Sequence, residues 1–201
     1  MTHLNVDVLL LAAGASTRMR GKDKLLEPID GQLLLHRSAK ILSNSNAQII
    51  HVILPPDHQP RLDAIAGLTV QTVESPCWQE GMAASIRAGM RAISRNCNAV
   101  IIALADMPDV SSDHINRLIS AFNPVEKHEI CRAVAENGVR GHPVLLGRRF
   151  FPQLAALTGD RGAKSILAAA PDYIIDVQTT GQAALIDLDT PEDWAAWRQP
   201  K

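Results

Sequence analysis

A short apolar run that gives way abruptly to small residues is the feature that most constrains how this chain can fold. Residues 6–11 are apolar apart from Asp7, and they have the length and branching of a buried strand. The loop that follows has almost no side-chain bulk, so a ligand can approach its backbone and accept hydrogen bonds from its N–H groups. Such donors suit phosphate oxygens, and the loop consists of Ala12, Ala13, Gly14, Ala15 and Ser16.

Cationic side chains follow this loop closely. Arg18, Arg20 and Lys22 lie within its reach and Lys24 lies just beyond, although the chain as a whole has 20 basic and 21 acidic residues. A local concentration of positive charge in a nearly neutral protein indicates a small polyanionic ligand. The alternative is a short loop whose basic residues are simply solvated.

The spacing excludes two familiar phosphate-binding loops. Gly14 is too far from Gly21 and Lys22 for a Walker A loop, and Asp23 stands where that loop needs a Ser or Thr for magnesium. No Gly-x-Gly-x-x-Gly sequence follows the first strand, which argues against a dinucleotide-dependent oxidoreductase.

Composition and cysteine usage favour one cytoplasmic domain, residues 1–201. The charge balance leaves no overall field to attract nucleic acid or anionic lipid. Three widely spaced cysteines without a Cys-x-x-Cys pair indicate free thiols rather than disulfides or a zinc site, namely Cys77, Cys97 and Cys131. No segment approaches the roughly 20 apolar residues of a membrane span, and the first six residues lack the order of a signal peptide.

Strand-like and helix-like segments alternate along the first 122 residues. This alternation predicts an α/β fold with a mostly parallel sheet covered on both faces, and ligands at the carboxyl ends of the strands. From residue 126 the pattern changes to two strands around a turn, followed by short helices and closing strands. The predicted strands are 6–11, 49–54, 68–73, 99–104, 130–135, 144–146, 173–177 and 184–188, and the longer predicted helices are 33–42, 58–66, 82–93 and 114–122.

A carboxylate at the end of a central strand is a candidate metal ligand. The apolar strand 99–104 runs into Asp106, and Pro108 stiffens the turn. This arrangement suits a magnesium ligand aimed into a cleft. The alternative role, capping the next helix, is better served by Ser111, Ser112 and Asp113.

A second acidic cluster near the end of the chain has two explanations. Thr190 or Asp189, followed by Pro191 and acidic residues, makes a good start for a final helix without any catalytic role. Asp187 and Asp189 are two residues apart, so they point to the same face of an extended strand, and both could approach an ion held by Asp106. We favour a metal-binding role for at least one of them.

The loop resembles the signature loop of nucleotidyltransferases, and most of all that of the molybdenum cofactor cytidylyltransferases. The resemblance rests on Leu11, Ala12, Ala13, Gly14, Ala15 and Ser16, then Arg18 and Met19, then Lys24, Leu25 and Leu26. It implies a single-domain Rossmann-like α/β/α sandwich of the glycosyltransferase-A, nucleotide-diphospho-sugar transferase type. It also implies that residues 11–16 wrap a nucleoside triphosphate whose phosphates contact Arg18 and Lys24. One departure is Arg20, which precedes Gly21 where the family has Gly directly after Met.

The resemblance assigns roles to residues farther along the chain. Gly81 and Ser85 match positions that meet the base and ribose, and Asp106 matches the metal-binding aspartate, with an acidic residue near 187–189 completing the site. The acceptor side is implied to include His142, Pro143, Asp160 and Arg161, although His142 could instead be structural. The chain would then divide into a nucleotide-binding part (1–112), an acceptor-binding part (126–170) and closing elements (171–201).

The expected reaction is magnesium-dependent transfer of CMP from CTP to the phosphate of molybdopterin, with release of pyrophosphate. Manganese is the alternative ion, and a transient contact with a molybdoenzyme or its maturation factor is a further expectation. The resemblance associates Ala at position 13 with cytidylyl transfer and Gly with guanylyl transfer. Two alternatives stay open: a transferase that uses GTP or another phosphorylated acceptor such as a sugar or polyol phosphate, and a non-catalytic carrier of the molybdenum cofactor.

Overall fold

The computed structural model describes residues 4–160 and 162–199. In these residues the strands are β1 (Val6–Leu11), β2 (Pro28–Ile29), β3 (Gln32–Leu33), β4 (Ile50–Leu54), β5 (Gln71–Glu74), β6 (Ala99–Leu104), β7 (Ile130–Val134), β8 (Arg140–Gly147) and β9 (Ile174–Gln178). The α-helices are α1 (Leu34–Ser43), α2 (Gln59–Ala64), α3 (Met82–Ala92), α4 (Ser112–Ala121), α5 (Phe151–Ala155), α6 (Lys164–Ala169) and α7 (Pro191–Trp197).

The central sheet is mixed and mostly parallel, as the sequence predicts. Its strand order is β5-β4-β1-β6-β8-β7-β9, while β2 and β3 form a separate two-stranded hairpin. Strands β5, β4, β1 and β6 run parallel to one another, and β8 is antiparallel to both β6 and β7. Strand β9 pairs in parallel with β7. The predicted α/β fold is therefore confirmed.

Alternating side chains of β1 reach the helices on the two faces of the sheet. Val8 and Leu10 pack in one buried cluster with Leu35 of α1. Leu9 points to the other face, where it packs with Ala88 of α3. Because successive side chains of a strand point to opposite faces, a strand that is apolar on both sides requires helices on both sides. Helical layers flank the sheet, as the predicted sandwich requires.

The predicted strand over residues 184–188 is wrong. This segment is a turn followed by an irregular stretch. Its backbone bonds across the end of the sheet instead of extending an edge: Leu188 N donates to Asp106 O at 3.0 Å, and Ala184 O accepts from His142 N at 3.0 Å. The segment therefore crosses the carboxyl end of β6 and brings its acidic residues to that edge.

Two strands of the central sheet begin three or more residues away from the predicted start, and the other strand boundaries of this sheet agree with the prediction to within one residue. Strand β5 begins at Gln71 rather than at residue 68, and β8 begins at Arg140. The β7–β8 turn closes tightly, since Gly138 has a φ of 79° and its N–H donates to Ala135 O at 2.8 Å. Gly141, His142 and Pro143 therefore lie within β8, with a cis bond between His142 and Pro143.

Among residues 4–160 and 162–199, no helix combines the length and the apolar character that a membrane crossing needs.

Candidate functional site

Two loops leave the sheet side by side and form opposite sides of a cavity. Leu11, the last residue of β1, lies in register with Leu104, the last residue of β6. The main-chain hydrogen bonding between the two strands continues one residue further, because Ala105 N donates to Leu11 O at 3.2 Å. Between the loops lies a cavity of about 530 Å³, which we call the loop cavity. The predicted nucleotide-binding and metal-binding residues that line it are Leu11, Ala12, Ala13, Gly14, Ala15, Arg18, Lys24, Gly81, Ser85, Asp106, Asp187 and Asp189, and the predicted acceptor residue Asp160 lines it as well.

Ser16 differs from the other predicted nucleotide-binding residues because its side chain serves the loop itself. Its hydroxyl donates to Asp23 Oδ1 at 3.1 Å and accepts from Lys24 N at 3.2 Å. Its backbone is left-handed, with a φ of 53°. Ser16 therefore turns the loop and faces away from the loop cavity.

Three carboxylates converge at one end of the loop cavity. Asp106, Asp187 and Asp189 each offer an oxygen atom, and these atoms lie within 4.8 Å of one another. One oxygen of Asp106, Oδ1, is buried without a hydrogen-bond partner in the part of the chain that the structure describes. Magnesium and manganese prefer carboxylate oxygens, and a buried, unpartnered oxygen gains from such an ion. The three side chains therefore fit a divalent cation.

Two basic side chains, Lys24 and Arg18, compensate part of the negative charge of these carboxylates. Lys24 Nζ donates to Asp106 Oδ2 and to Asp189 Oδ1, each at 2.5 Å. Arg18 also pairs with Asp189, with 2.6 Å between Nη2 and Oδ2. Burial by itself would lower the pKa of Lys24, but the carboxylates of Asp106 and Asp189 outweigh burial and raise that pKa. Lys24 therefore stays charged at neutral pH.

The two C-terminal aspartates differ in their electrostatic surroundings. Burial favours a raised pKa for Asp189, but hydrogen bonds and charge from Lys24, together with Arg18, lower it overall. The pKa of Asp187 is raised by burial and then by the neighbouring charges of Asp189 and Asp106. Asp187 thus lacks compensating positive charge, and a bound cation would supply it.

The start of α3 forms another side of the loop cavity and requires a glycine. Gly81 has a φ of 103°, and a Cβ at this position would lie 2.8 Å from Asp160 Oδ1. The same carboxylate oxygen accepts a hydrogen bond from Met82 N at 3.1 Å. Asp160, a predicted acceptor residue, therefore occupies the N-terminus of α3. Ser85 is buried on the next turn of this helix.

A second cavity of about 440 Å³ adjoins the loop cavity beneath β8, and we call it the hairpin cavity. The two cavities share Met82, Leu104 and Asp160. His142 lines the hairpin cavity, and its Nδ1 atom is buried without a partner among the described residues. Burial lowers the pKa of His142, so its imidazole is neutral at pH 7.

Two other predicted acceptor residues, Pro143 and Arg161, are not found in the lining of the hairpin cavity among the described residues. Pro143 is buried and lies outside the lining of the hairpin cavity, because neighbours along a strand point to opposite faces. Arg161 lies outside the described residues. Three basic side chains that sequence reasoning did not select line the hairpin cavity, namely Arg132, Arg140 and Lys164. The available signal was Arg132, a single charged residue within the otherwise apolar strand β7.

The final helix, α7, begins with the capping arrangement that the sequence analysis gave as one explanation of the acidic cluster. Thr190 Oγ1 accepts from Asp193 N at 3.1 Å, and Asp193 Oδ2 accepts from Thr190 N at 2.8 Å. Thr190 is therefore the N-cap of α7. This leaves Asp189 free of the capping role, and its carboxylate faces the loop cavity.

Three curated relatives cover almost the whole chain. Purine catabolism protein PucB of Bacillus subtilis is 28% identical over 198 residues, which span 92% of each chain. Nicotine blue oxidoreductase of Paenarthrobacter nicotinovorans is 26% identical and also spans 92% of each chain. Molybdenum cofactor guanylyltransferase of Serratia proteamaculans is 28% identical over 203 residues, or 99% of this chain and 97% of the relative.

Solved structures and a family comparison agree with the fold. Rv0371c of Mycobacterium tuberculosis superposes with a TM-score of 0.83 at 24% identity, covering 96% of this chain and 97% of Rv0371c. A structure of Rv0371c in complex with manganese gives a TM-score of 0.79 at 22% identity over the same shares. Residues 8–174 match the MobA-like NTP transferase domain. The chain therefore belongs to this family of nucleotidyltransferases.

Proposed function

We propose that this protein transfers CMP from CTP to the phosphate of molybdopterin or the molybdenum cofactor and releases pyrophosphate. One observation carries the proposal: the loop cavity and the hairpin cavity adjoin each other and share Met82, Leu104 and Asp160. A group transfer needs two substrates held side by side, and two contiguous cavities provide that arrangement.

In the proposed complex the loop cavity holds CTP. Backbone N–H groups of the small-residue loop and the side chains of Arg18 and Lys24 receive the triphosphate. Gly81 and Ser85 lie on the side of the cavity that would meet the ribose and base. In chain order, we propose residues 1–112 for the nucleotide, 126–170 for the acceptor, and 171–201 for the closing elements that supply Asp187 and Asp189.

The proposed reaction joins an oxygen of the acceptor phosphate to the α-phosphorus of CTP. The bond between the α-phosphorus and the bridging oxygen to the β-phosphate breaks, and pyrophosphate leaves with that electron pair. A phosphate monoester is largely dianionic at neutral pH, so the reaction needs no protein base. The barrier comes mainly from the approach of two anions, and Arg18 and Lys24 lower it by compensating charge on the donor.

We assign magnesium, or manganese, to the carboxylates of Asp106, Asp187 and Asp189. A divalent ion there would supply positive charge to the phosphate oxygens. The convergence of these carboxylates within 4.8 Å supports the assignment. The manganese complex of Rv0371c, a structural neighbour, is a second support.

The acceptor is proposed to lie in the hairpin cavity. His142 lines this cavity as a neutral imidazole, and Lys164 adds positive charge for an anionic group. The relative named molybdenum cofactor guanylyltransferase supports a molybdopterin acceptor. The same relative makes GTP the second candidate donor, whereas Ala13 is the reason for preferring CTP. The product is proposed to pass to a molybdoenzyme or its maturation factor in a transient contact.

The test is a donor and acceptor panel with the purified protein. Each of CTP, GTP, ATP and UTP is incubated with magnesium and with either extracted molybdenum cofactor or a sugar or polyol phosphate. Pyrophosphate is measured, and the product is identified by mass. We expect CTP to give the fastest release and a product heavier by one CMP. Faster release with GTP would reject CTP as the donor, and a product only with a sugar or polyol phosphate would reject the acceptor.

Two functions of other classes predict different outcomes of the same assay. A carrier would bind the molybdenum cofactor stoichiometrically without releasing pyrophosphate. A redox role, suggested by the relative named nicotine blue oxidoreductase, would change the oxidation state of the acceptor without adding a nucleotide.

A further inference from the structure

A buried arginine lies behind the small-residue loop, on the side opposite the loop cavity. Arg61 of α2 is only 2% exposed. Its Nη1 atom donates to Ala12 O at 2.6 Å, and its Nη2 atom donates to Gly14 O at 2.8 Å. A fully buried guanidinium is uncommon and needs several acceptors. Two nitrogen atoms of Arg61 therefore donate hydrogen bonds to main-chain oxygens of this loop.

The same guanidinium also bonds to Asp23, in the segment that follows the loop. Arg61 Nε donates to Asp23 Oδ2 at 2.7 Å, and Nη2 donates to Asp23 Oδ1 at 2.9 Å. Asp23 in turn accepts from Leu25 N at 3.0 Å and from the hydroxyl of Ser16. One side chain thus joins the loop to the segment that follows it.

These bonds fix the direction of two peptide N–H groups. In a trans peptide the C=O and the following N–H point in opposite directions. Among the described residues the cis peptide is His142–Pro143, so the peptides after Ala12 and Gly14 are trans. Their oxygens point to Arg61, and the N–H groups of Ala13 and Ala15 therefore point away from it. Both residues line the loop cavity.

We infer that Arg61 is a positioning residue for the nucleotide: by holding the oxygens of Ala12 and Gly14, it presents the N–H groups of Ala13 and Ala15 to the triphosphate. The inference rests on the proposed function. Arg61 itself does not contact the substrate in this arrangement, since the loop lies between them. Its contribution is to orient two donors before the ligand arrives.

The geometry of the guanidinium matters here more than its charge. Burial would raise the pKa of Asp23, but its hydrogen bond and charge interaction with Arg61 lower it overall, so Asp23 stays ionised and neutralises Arg61. A lysine keeps the charge, but its single ammonium group cannot reproduce the planar fork that reaches two carbonyls and a carboxylate. Arg61→Lys should therefore impair ligand binding nearly as much as Arg61→Met.

The test uses inorganic tripolyphosphate with magnesium as a probe of the loop, measured by calorimetry well below each variant's unfolding temperature. We expect Arg61→Lys and Arg61→Met to weaken binding by about tenfold or more, the effect of losing about one charge-assisted hydrogen bond. The matched control is Arg148→Lys. Arg148 also donates to two main-chain oxygens, those of Arg95 and Cys97, but at the start of β6, far from the loop. This control should bind tripolyphosphate within about twofold of wild type.

Steady-state kinetics separates positioning from mere stabilisation. A positioning role predicts that Arg61→Lys raises the KM for the nucleoside triphosphate while the folded variant keeps most of its kcat. A role in folding alone predicts a lower unfolding temperature with unchanged tripolyphosphate affinity, which would overturn the inference.

Hydrogen exchange on the wild-type protein gives an independent test if an Arg61 variant does not fold. Tripolyphosphate should slow amide exchange in residues 12–15 more than in Arg148–Phe150, the short 3-10 helix that contains Arg148. Binding without such protection would overturn the inference and leave the proposed function intact. If the wild-type protein bound neither tripolyphosphate nor any nucleoside triphosphate, the proposed function would fail, and this inference with it.

Discussion

Lys24 Nζ lies 2.5 Å from a carboxylate oxygen of Asp106, and the same ammonium group is equally close to Asp189. These two carboxylates belong to the group that could hold a divalent cation. In the free protein the lysine therefore takes the position between them that such a cation would need. Nucleotide phosphates offer Lys24 other partners, so the proposed site couples cation binding to nucleotide binding.

Replacing Lys24 should strengthen the binding of metal alone. In Lys24→Gln the positive charge that competes for Asp106 and Asp189 is absent, so manganese affinity without nucleotide should rise by about tenfold or more. Turnover should fall by about a hundredfold, since a charge on the phosphates is lost. Electron paramagnetic resonance measures free manganese, and Lys22→Gln removes an equal charge from an exposed neighbour. Unchanged or weaker manganese binding in Lys24→Gln would contradict the competition.

Asp106 should be essential for turnover. Its Oδ1 atom is buried and unpartnered among the described residues, and Asp106→Asn replaces one carboxylate oxygen by an amide that does not bind hard cations. We expect pyrophosphate release to fall by about a hundredfold or more. Asp113→Asn is the control, because Asp113 pairs with Arg117 on the exposed face of α4. Near-normal activity of Asp106→Asn would remove the metal assignment.

Ala13 should influence the choice of base. Its side chain is 3% exposed and lines the loop cavity. Ala13→Gly removes a methyl group and makes room for a larger base, so the ratio of kcat/KM for GTP to that for CTP should rise by about tenfold, the effect of one methyl group in a binding site. To measure this ratio, CTP and GTP compete in one reaction, and the two products are quantified by mass spectrometry. A fall in the ratio would show that position 13 does not discriminate by size.

Protonation of His142 should destabilise the protein. Burial places its folded-state pKa below 6.5, the ordinary value, so folding favours the neutral ring. That contribution is complete above pH 6.5 and is lost as the pH falls through the lower folded-state pKa. His142→Gln should therefore lose less stability than wild type between pH 7 and about pH 5 in thermal unfolding. The control is His128→Gln, since His128 is partly exposed beside Glu126. Parallel losses in wild type and His142→Gln would contradict the assignment.

Gly141 should not tolerate any side chain. A Cβ there would lie 1.8 Å from the carbonyl oxygen of Ala184, which is main chain and has little freedom to move. Gly141→Ala should reduce the free energy of unfolding by about 2 kcal/mol or more, as expected for overpacking against backbone. Urea titration measures this loss. Gly14→Ala is the comparison for stability, because space around Gly14 is open, and equal stability of the two variants would contradict the packing.

The nucleotide side of the fold follows from local sequence signals. The strands β1 and β6 are long apolar runs, and their loops carry the small residues and Asp106, so their meeting at one edge of a parallel sheet could be predicted. Asp187 and Asp189 reach this edge as predicted but on an irregular segment, because residues 184–188 bond across the strand ends. Which backbone atoms a segment will bond is a tertiary property that periodicity does not reveal.

Arg61 could not be found from its surroundings in the sequence. It lies in a short helix whose pattern does not distinguish a buried cation from an exposed one. Its acceptors are Ala12, Gly14 and Asp23, which are distant in sequence. The same holds for the shared boundary of the two cavities, since Met82, Leu104 and Asp160 come from three separate segments.

A crystal of the protein soaked with CTP and manganese, with the ion located by its anomalous signal, tests the central claim most directly. The account predicts a manganese peak within coordination distance of Asp106 and of at least one of Asp187 and Asp189, with Lys24 moved onto the triphosphate and the phosphates against residues 12–15. A CTP-free loop cavity, with no manganese peak and Lys24 still between the two carboxylates, would contradict it.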